Sequence, residues 1–201
     1  MKILLVATGN PDKLKEVKQI LNLSGYQILG LNQIKSIPKN FTVVETGHTF
    51  KANAILKAVG YGNQTGLLTL ADDSGLCIDC LHGRPGLNSA RFAADNFNLA
   101  MRKILNRLKS LPDSEKGAKF VCCLALYQPQ TDSLHTFAGI IKGRIAPAIQ
   151  GSRGFGYDPI FIPNHMNLTL GQLAQSQKNQ LSHRFKALLK LKTFLSKSPI
   201  S

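Results

Sequence analysis

The chain opens with a strand that breaks directly into a capped helix. Residues 2–8, KILLVAT, form a short apolar run of strand type, and Asn10-Pro11 ends it. Asn10 is suited to cap a helix with Pro11 at its first position, Asp12 in the first turn, and Leu14, Val17 and Leu21 on one face. Residues 26–30 predict a second strand, and Thr49 caps a helix carrying Phe50, Ala54 and Ala58 at helical spacing. Residues 67–73 and 75–81 predict a third and a fourth strand. Asp95 is the expected cap of a helix with Phe97, Met101, Ile104, Leu105 and Leu108 inward. Residues 119–127 and 134–143 read as paired strands joined by the turn-rich QPQTDS. A last helix turns Leu181, Phe185, Leu188, Leu191 and Leu195 inward and Lys186, Lys190 and Lys197 outward. Alternating elements followed by a hairpin predict an α/β domain with a mixed sheet. No repeat or linker divides residues 1–201, so one globular domain is expected, with room for two lobes around one sheet.

The formal net charge is +14, from 25 Lys and Arg against 11 Asp and Glu, which favours anionic partners. The basic residues are spread along the chain without a block of five or six. No apolar run approaches the roughly 20 residues that span a bilayer. The N-terminus reads as a strand rather than a signal peptide, and a soluble, cytoplasmic protein is expected. Cys77 and Cys80 make a C-x-x-C and Cys122-Cys123 are adjacent. On strands these odd spacings point the paired side chains to opposite faces, so buried, reduced thiols are expected rather than a metal site.

Four stretches could carry chemistry. ATGNPDK lies at the first strand-to-helix junction, where helix N–H groups meet anions; Thr8 and Asn10 add polar groups there, Gly9 a close backbone approach, and Lys13 a charge. Asp72 and Asp73 end a strand and so point to opposite faces. One can enter a site while the other braces a neighbour, and a carboxylate there suits magnesium, which takes one or two and completes its shell with water and phosphate. GSRGFGYDPIF sets the aromatic Phe155 in a glycine-rich loop ended by Asp158-Pro159, a platform for a nucleobase. In SQKNQLSHRFKALL, Ser182 is placed to cap the final helix, which predicts that His183 and Arg184 are exposed in its first turn, with Lys178 in reach of a base edge or phosphate.

Together the segments ATGNPDKLKEV, ETGHTFKANAILKA, ADDSGLCIDCLHGRPGLNSARFA, GFGYDPIF and KNQLSHRFKAL, in this order, resemble the inosine/xanthosine triphosphate pyrophosphatase family. The resemblance implies an elongated α/β fold with a long twisted mixed sheet, flanking helices, a substrate groove between two lobes, and a homodimer. It implies magnesium-dependent hydrolysis of ITP, dITP and XTP to the monophosphate and pyrophosphate. By matching motifs, the stretch Thr8, Gly9, Asn10, Pro11, Asp12 and Lys13 would hold the triphosphate, and Asp73 would be general base and metal ligand. Ser74 would touch substrate, Asp72 would support, and Glu45 would be a second metal-side carboxylate. Phe155, Gly156, Tyr157 and Asp158 would form the base-side loop, with Lys178, His183 and Arg184 completing recognition. Many members carry EETG and ENA where this chain has Val44-Glu45 and Ala52-Asn53-Ala54, so two carboxylates near the expected metal are replaced. A pyrophosphatase of broader or shifted base choice stays open. A basic nucleic-acid-binding protein would leave the carboxylates and the base-side loop unexplained, so no sequence-specific nucleic acid is expected. An exchange-type phosphotransferase lacks a motif.

Overall fold

The computed structural model describes residues 1–92 and 96–197. They form six strands in one sheet of order β2-β1-β3-β4-β5-β6 and five α-helices. Strand β1 (Lys2–Ala7) pairs in parallel with both β2 (Tyr26–Gly30) and β3 (Leu68–Ile78). Parallel neighbours require crossovers, which contain α1 (Pro11–Leu21) and α2 (Phe50–Thr65). Strand β4 (Gly117–Gln128) is followed by β5 (Ser133–Ile145), and β5 pairs antiparallel with β6 (Phe161–Pro163). The α/β fold with a mixed sheet is thus observed. The chain divides into two compact units. The first comprises Met1–Asp73, Cys122–Gly139 and the stretch from Arg184; the second comprises Ser74–Val121 and Ile140–His183. The crossings fall inside β3, β4 and β5 and in the first turn of the last helix, His183–Lys197, which is why no linker marks them in the sequence.

In the first unit, strand alternation sorts the core onto two faces. Leu4, Val6, Leu68, Leu70, Cys122 and Leu124 pack with Val17 and Leu21 of α1 and with Leu188 and Leu191 of α5 (His183–Lys197). Leu5, Ala7, Ala71 and Ala125 pack instead with Ala54, Ala58 and Tyr61 of α2. Asn10 caps α1 as expected, accepting from the Asp12 and Lys13 amides, and Thr49 caps α2 through the Ala52 amide. Each cap contributes about 1 kcal/mol. The second unit buries Ala100, Met101, Ile104 and Leu108 of α3 (Phe97–Leu108) with Leu76, Ile78, Phe120 and Phe161.

Three expectations need correction. Residues 67–73 and 75–81 are not two strands: Ser74-Gly75 stay extended, so β3 is a single 11-residue strand followed by a 3₁₀ turn at Asp79–Leu81. Cys80 therefore lies in that turn, not on a strand. The last helix starts at His183, so Leu181 belongs to the preceding α4 (Gln175–Leu181). Asp95 lies outside the described residues, and the Asn96 side chain accepts from the Leu99 amide at the start of α3. All four cysteines are free. No helix among the described residues is long and apolar enough to cross a membrane.

Candidate active site

Period-two geometry sends the two neighbouring aspartates of β3 to different helix layers. Asp72 follows Leu68 and Leu70 toward α1 and α5. There Lys13, from the first turn of α1, pairs with its Oδ1, while Arg184 Nε (2.9 Å) and the Cys122 thiol (3.1 Å) donate to its Oδ2. Arg184 Nη1 also pairs with Glu16 of α1. The cluster is enclosed: Arg184 is 1% exposed, Glu16 and Asp72 3% each. Burial alone would raise the Asp72 carboxyl, but Arg184 and Lys13 outweigh it and hold it well below the usual carboxylate range. Burial and the Asp72 charge push the Cys122 thiol well up, so it stays a protonated donor.

Asp73 follows Ala71 toward α2. Lys57 of that helix stands between two carboxylates, 3.2 Å from Asp73 Oδ1 and 3.1 Å from Glu45 Oε1. Burial raises the Asp73 carboxyl, Lys57 works against the rise, and Glu45 adds to it. Burial lowers the Lys57 ammonium, but Asp73 and Glu45 more than restore it, so it holds its proton firmly. The segment carrying Glu45 is fixed by Asn53, whose Oδ1 accepts the Gly47 amide at 2.8 Å. A side chain at position 47 would meet that oxygen at 2.6 Å and the Ala52 methyl at 2.7 Å, so glycine is required there. Asp73 Oδ2 is buried without a hydrogen-bond partner among the described residues. Such an oxygen costs about 1–3 kcal/mol unless something binds it. With Glu45 nearby it forms an oxygen donor set of the size that magnesium takes from a protein. Among the described residues no group of three or more His, Cys, Asp or Glu adds to it.

The second unit holds a different cluster. Asp158 Oδ2 accepts the Phe155 amide at 2.8 Å and pairs with Lys178 at 2.7 Å, and the Lys178 ammonium lies 4.5 Å from the Phe155 ring centre. Gly154 has φ +75°, and a β-carbon there would lie 2.2 Å from Asp158 Oδ2. Tyr157 is buried, donates to the Ser89 carbonyl at 2.8 Å and meets Phe97 edge-on, so it anchors the loop. Its burial pushes the phenol up. His183 stacks on Phe120 with ring centres 4.8 Å apart and planes 8° from parallel.

The expectation of an exposed first turn in the last helix is overturned: His183 is 6% and Arg184 1% exposed. An aromatic face covers the imidazole, and two carboxylates neutralise the guanidinium; both arrive from far along the chain. At the opening junction, Thr8 Oγ1 accepts the Asn10 amide at 3.1 Å, while Gly9, Pro11 and Asp12 are exposed and open space lies over Gly9. Ser74 is half-buried on β3. Sequence reasoning missed Lys57, Glu16 and Cys122. For Lys57 a signal existed: Asn53 and Lys57 are a polar pair at i, i+4 beside the alanine stripe of α2. Nothing in the sequence distinguishes Glu16 from a solvated helix carboxylate.

The comparisons with known proteins follow the same lines. The model of the Ham1 family matches residues 4–194. A dITP/XTP pyrophosphatase of Bacillus subtilis (strain 168) is 42% identical over 199 residues, covering 97% of this chain and 98% of its own. One of Vibrio cholerae serotype O1 is 40% identical over 194 residues, 95% of each. The solved Ham1 protein of Staphylococcus aureus superposes with a TM-score of 0.86 at 35% identity, covering 98% of this chain and 99% of that one. The nucleoside-triphosphatase, dITP/XTP pyrophosphatase, of Mycobacterium abscessus gives 0.77 at 38%, covering 94% and 98%.

Proposed function

The chain belongs to the Ham1 family, and from that premise we propose that it hydrolyses non-canonical purine nucleoside triphosphates, ITP, dITP and XTP, to the monophosphate and pyrophosphate. One observation carries the reading: relatives named dITP/XTP pyrophosphatase match it over nearly the full length of both chains. A homodimer acting in the cytoplasm, where thiols stay reduced, completes the proposal, and the four free cysteines agree with it.

In this mechanism Thr8, Gly9, Asn10 and Lys13, with the exposed Pro11 and Asp12 beside them, receive the triphosphate. Asp73 and Glu45 would hold magnesium, which supplies positive charge against the phosphates. Asp73 takes the proton of a water attacking the α-phosphorus. Lys57 holds Asp73 and Glu45 in one place, and Ser74 touches substrate. Lys13 moves from Asp72 to the phosphates as charge grows on the departing pyrophosphate. Arg184 fixes Asp72, so that carboxylate keeps its position when Lys13 leaves. Base recognition falls to Phe155, Gly156, Tyr157 and Asp158 with Lys178, His183 and Arg184. Donors matched to a 6-oxo group are left unpaired by adenine, at about 1–3 kcal/mol each.

Product analysis with ITP, XTP, GTP and ATP, with magnesium and after chelation, tests the proposal. Monophosphate and pyrophosphate are expected from ITP and XTP, with little from GTP or ATP and none after chelation. Inorganic phosphate as the product, or equal turnover of ATP, refutes it.

A further inference from the structure

The positive charge of this chain is unequally placed. Glu16, Glu45, Asp72, Asp73, Asp113 and Asp158 are each held by one or more of Lys13, Lys57, Lys116, Lys178 and Arg184. These pairings engage six acids with five cations and sum to −1, so the other residues carry +15 against the formal +14 of the whole chain. Within the first unit more of it lies on one side than on the other. Helices α1 and α5 pack against the same face of the sheet, and both turn their apolar stripes inward. Their outer surfaces expose Lys15, Lys18, Lys186, Lys190, Lys192 and Lys197, against Asp12 as the single exposed acid of the two helices. On the opposite face, helix α2 and the segment 31–43 packed against the same cluster expose three, Lys35, Lys39 and Lys51.

From this asymmetry we propose that the outer surface of α1 and α5 binds the phosphodiester backbone of nucleic acid, independently of sequence. Along α5 the lysines from 186 to 197 span about 16 Å, close to the rise of about five base pairs. The cations are all lysines, which meet phosphates as point charges and lack the bidentate fork that reads guanine. Lys190 donates to the Ala138 carbonyl at 2.7 Å and retains further N–H donors. An anionic membrane fits this surface less well. A helix that lies in a lipid interface presents an apolar face to it, whereas Leu188, Leu191 and Leu195 are buried and Leu189 is the exposed large apolar residue of α5. The inference does not depend on the hydrolytic reaction; it gives the enzyme a second, polyanionic partner.

The test is fluorescence anisotropy of the full chain with labelled DNA duplexes of two unrelated sequences, an RNA duplex, and vesicles containing anionic lipid. Six phosphate contacts give a slope of about −5 in log affinity against log salt, or roughly 10³-fold between about 50 and 200 mM. Equal affinity for both DNA sequences is expected. Reversing Lys15, Lys18, Lys192 and Lys197 to Glu should weaken binding more than about tenfold and flatten the slope by about four, with ITP turnover unchanged. Reversing Arg102, Lys103 and Arg107 of α3 with Lys109 just after it makes the same change in net charge and should weaken binding less than about threefold. If the first variant fails to fold, the same four positions changed to Gln give the readout. Equal losses from the two helix layers, no binding at low salt, or tighter binding to vesicles than to nucleic acid overturns the proposal.

Discussion

Arg184→Met tests the central claim about the enclosed cluster. The arginine is 1% exposed and faces two carboxylates, Glu16 and Asp72, each 3% exposed. Methionine fills much of the aliphatic volume but leaves both acids with less compensation. Lys13 still reaches Asp72, whereas Glu16 loses the guanidinium. Removing one partner of a buried ion pair costs about 3–5 kcal/mol, and a domain of this size loses roughly 2–4 °C in Tm per kcal/mol. The expected drop is therefore about 6–20 °C by differential scanning calorimetry. Arg184→Lys keeps the charge but not the fork and should fall between. Glu16→Gln alone should cost less, because the guanidinium then still has Asp72, and the double variant should be more stable than the two single losses added together. If the guanidinium also reads the base, the ratio of ITP to ATP turnover narrows in Arg184→Met, several-fold to a hundredfold. A Tm within about 2 °C of the parent refutes the reasoning, because it means the two carboxylates do not need this cation.

Other outcomes follow from the same contacts. Asp73→Asn should keep the Tm and lose most turnover, since the amide cannot take a proton; near-normal turnover in a folded variant removes Asp73 from the chemistry. Gly154→Ala places a methyl against Asp158 Oδ2, which displaces the acceptor of Lys178 and the Phe155 amide. It should raise KM for ITP more than it lowers kcat, and an unchanged KM sinks the role given to that loop. Burial raises all four thiols, Cys122 most strongly. Native alkylation should therefore be slow at neutral pH, speed up as pH rises, and reach Cys122 last; mass spectrometry showing early Cys122 modification contradicts its enclosure.

The βα opening was legible because its signals are local: Asn10, Pro11 and the spacing of Val17 and Leu21 each act within one turn. The opposite facing of Asp72 and Asp73, and of Cys122 and Cys123, was legible for the same reason, since strand alternation needs no partner. What each residue meets was not legible. Arg184 looks like a surface cation at a helix start, and only the fold brings Asp72, 112 positions away, against it. The lysine surface was hidden in the same way: no block of charge marks it, because α1 and α5 lie at opposite ends of the chain and become neighbours on one sheet face.

That separation of local signal from distant partner explains how two adjacent, identical side chains come to differ. Asp72 and Asp73 share one strand and almost one position, yet their carboxyls shift in opposite directions. Burial acts the same way on both. The difference lies in the cations: Arg184 and Lys13 both serve Asp72, whereas Lys57 divides itself between Asp73 and Glu45. A carboxylate that two cations reach, even with one of them shared with Glu16, is locked as an anion and can only position others. One that shares a single cation with a second carboxylate, and keeps a buried oxygen without a partner among the described residues, is the one to which the proposed reaction gives the metal and the proton. Environments that push like groups apart are how a site divides structural from chemical work. Here the alternation of a single strand is enough to create the two environments.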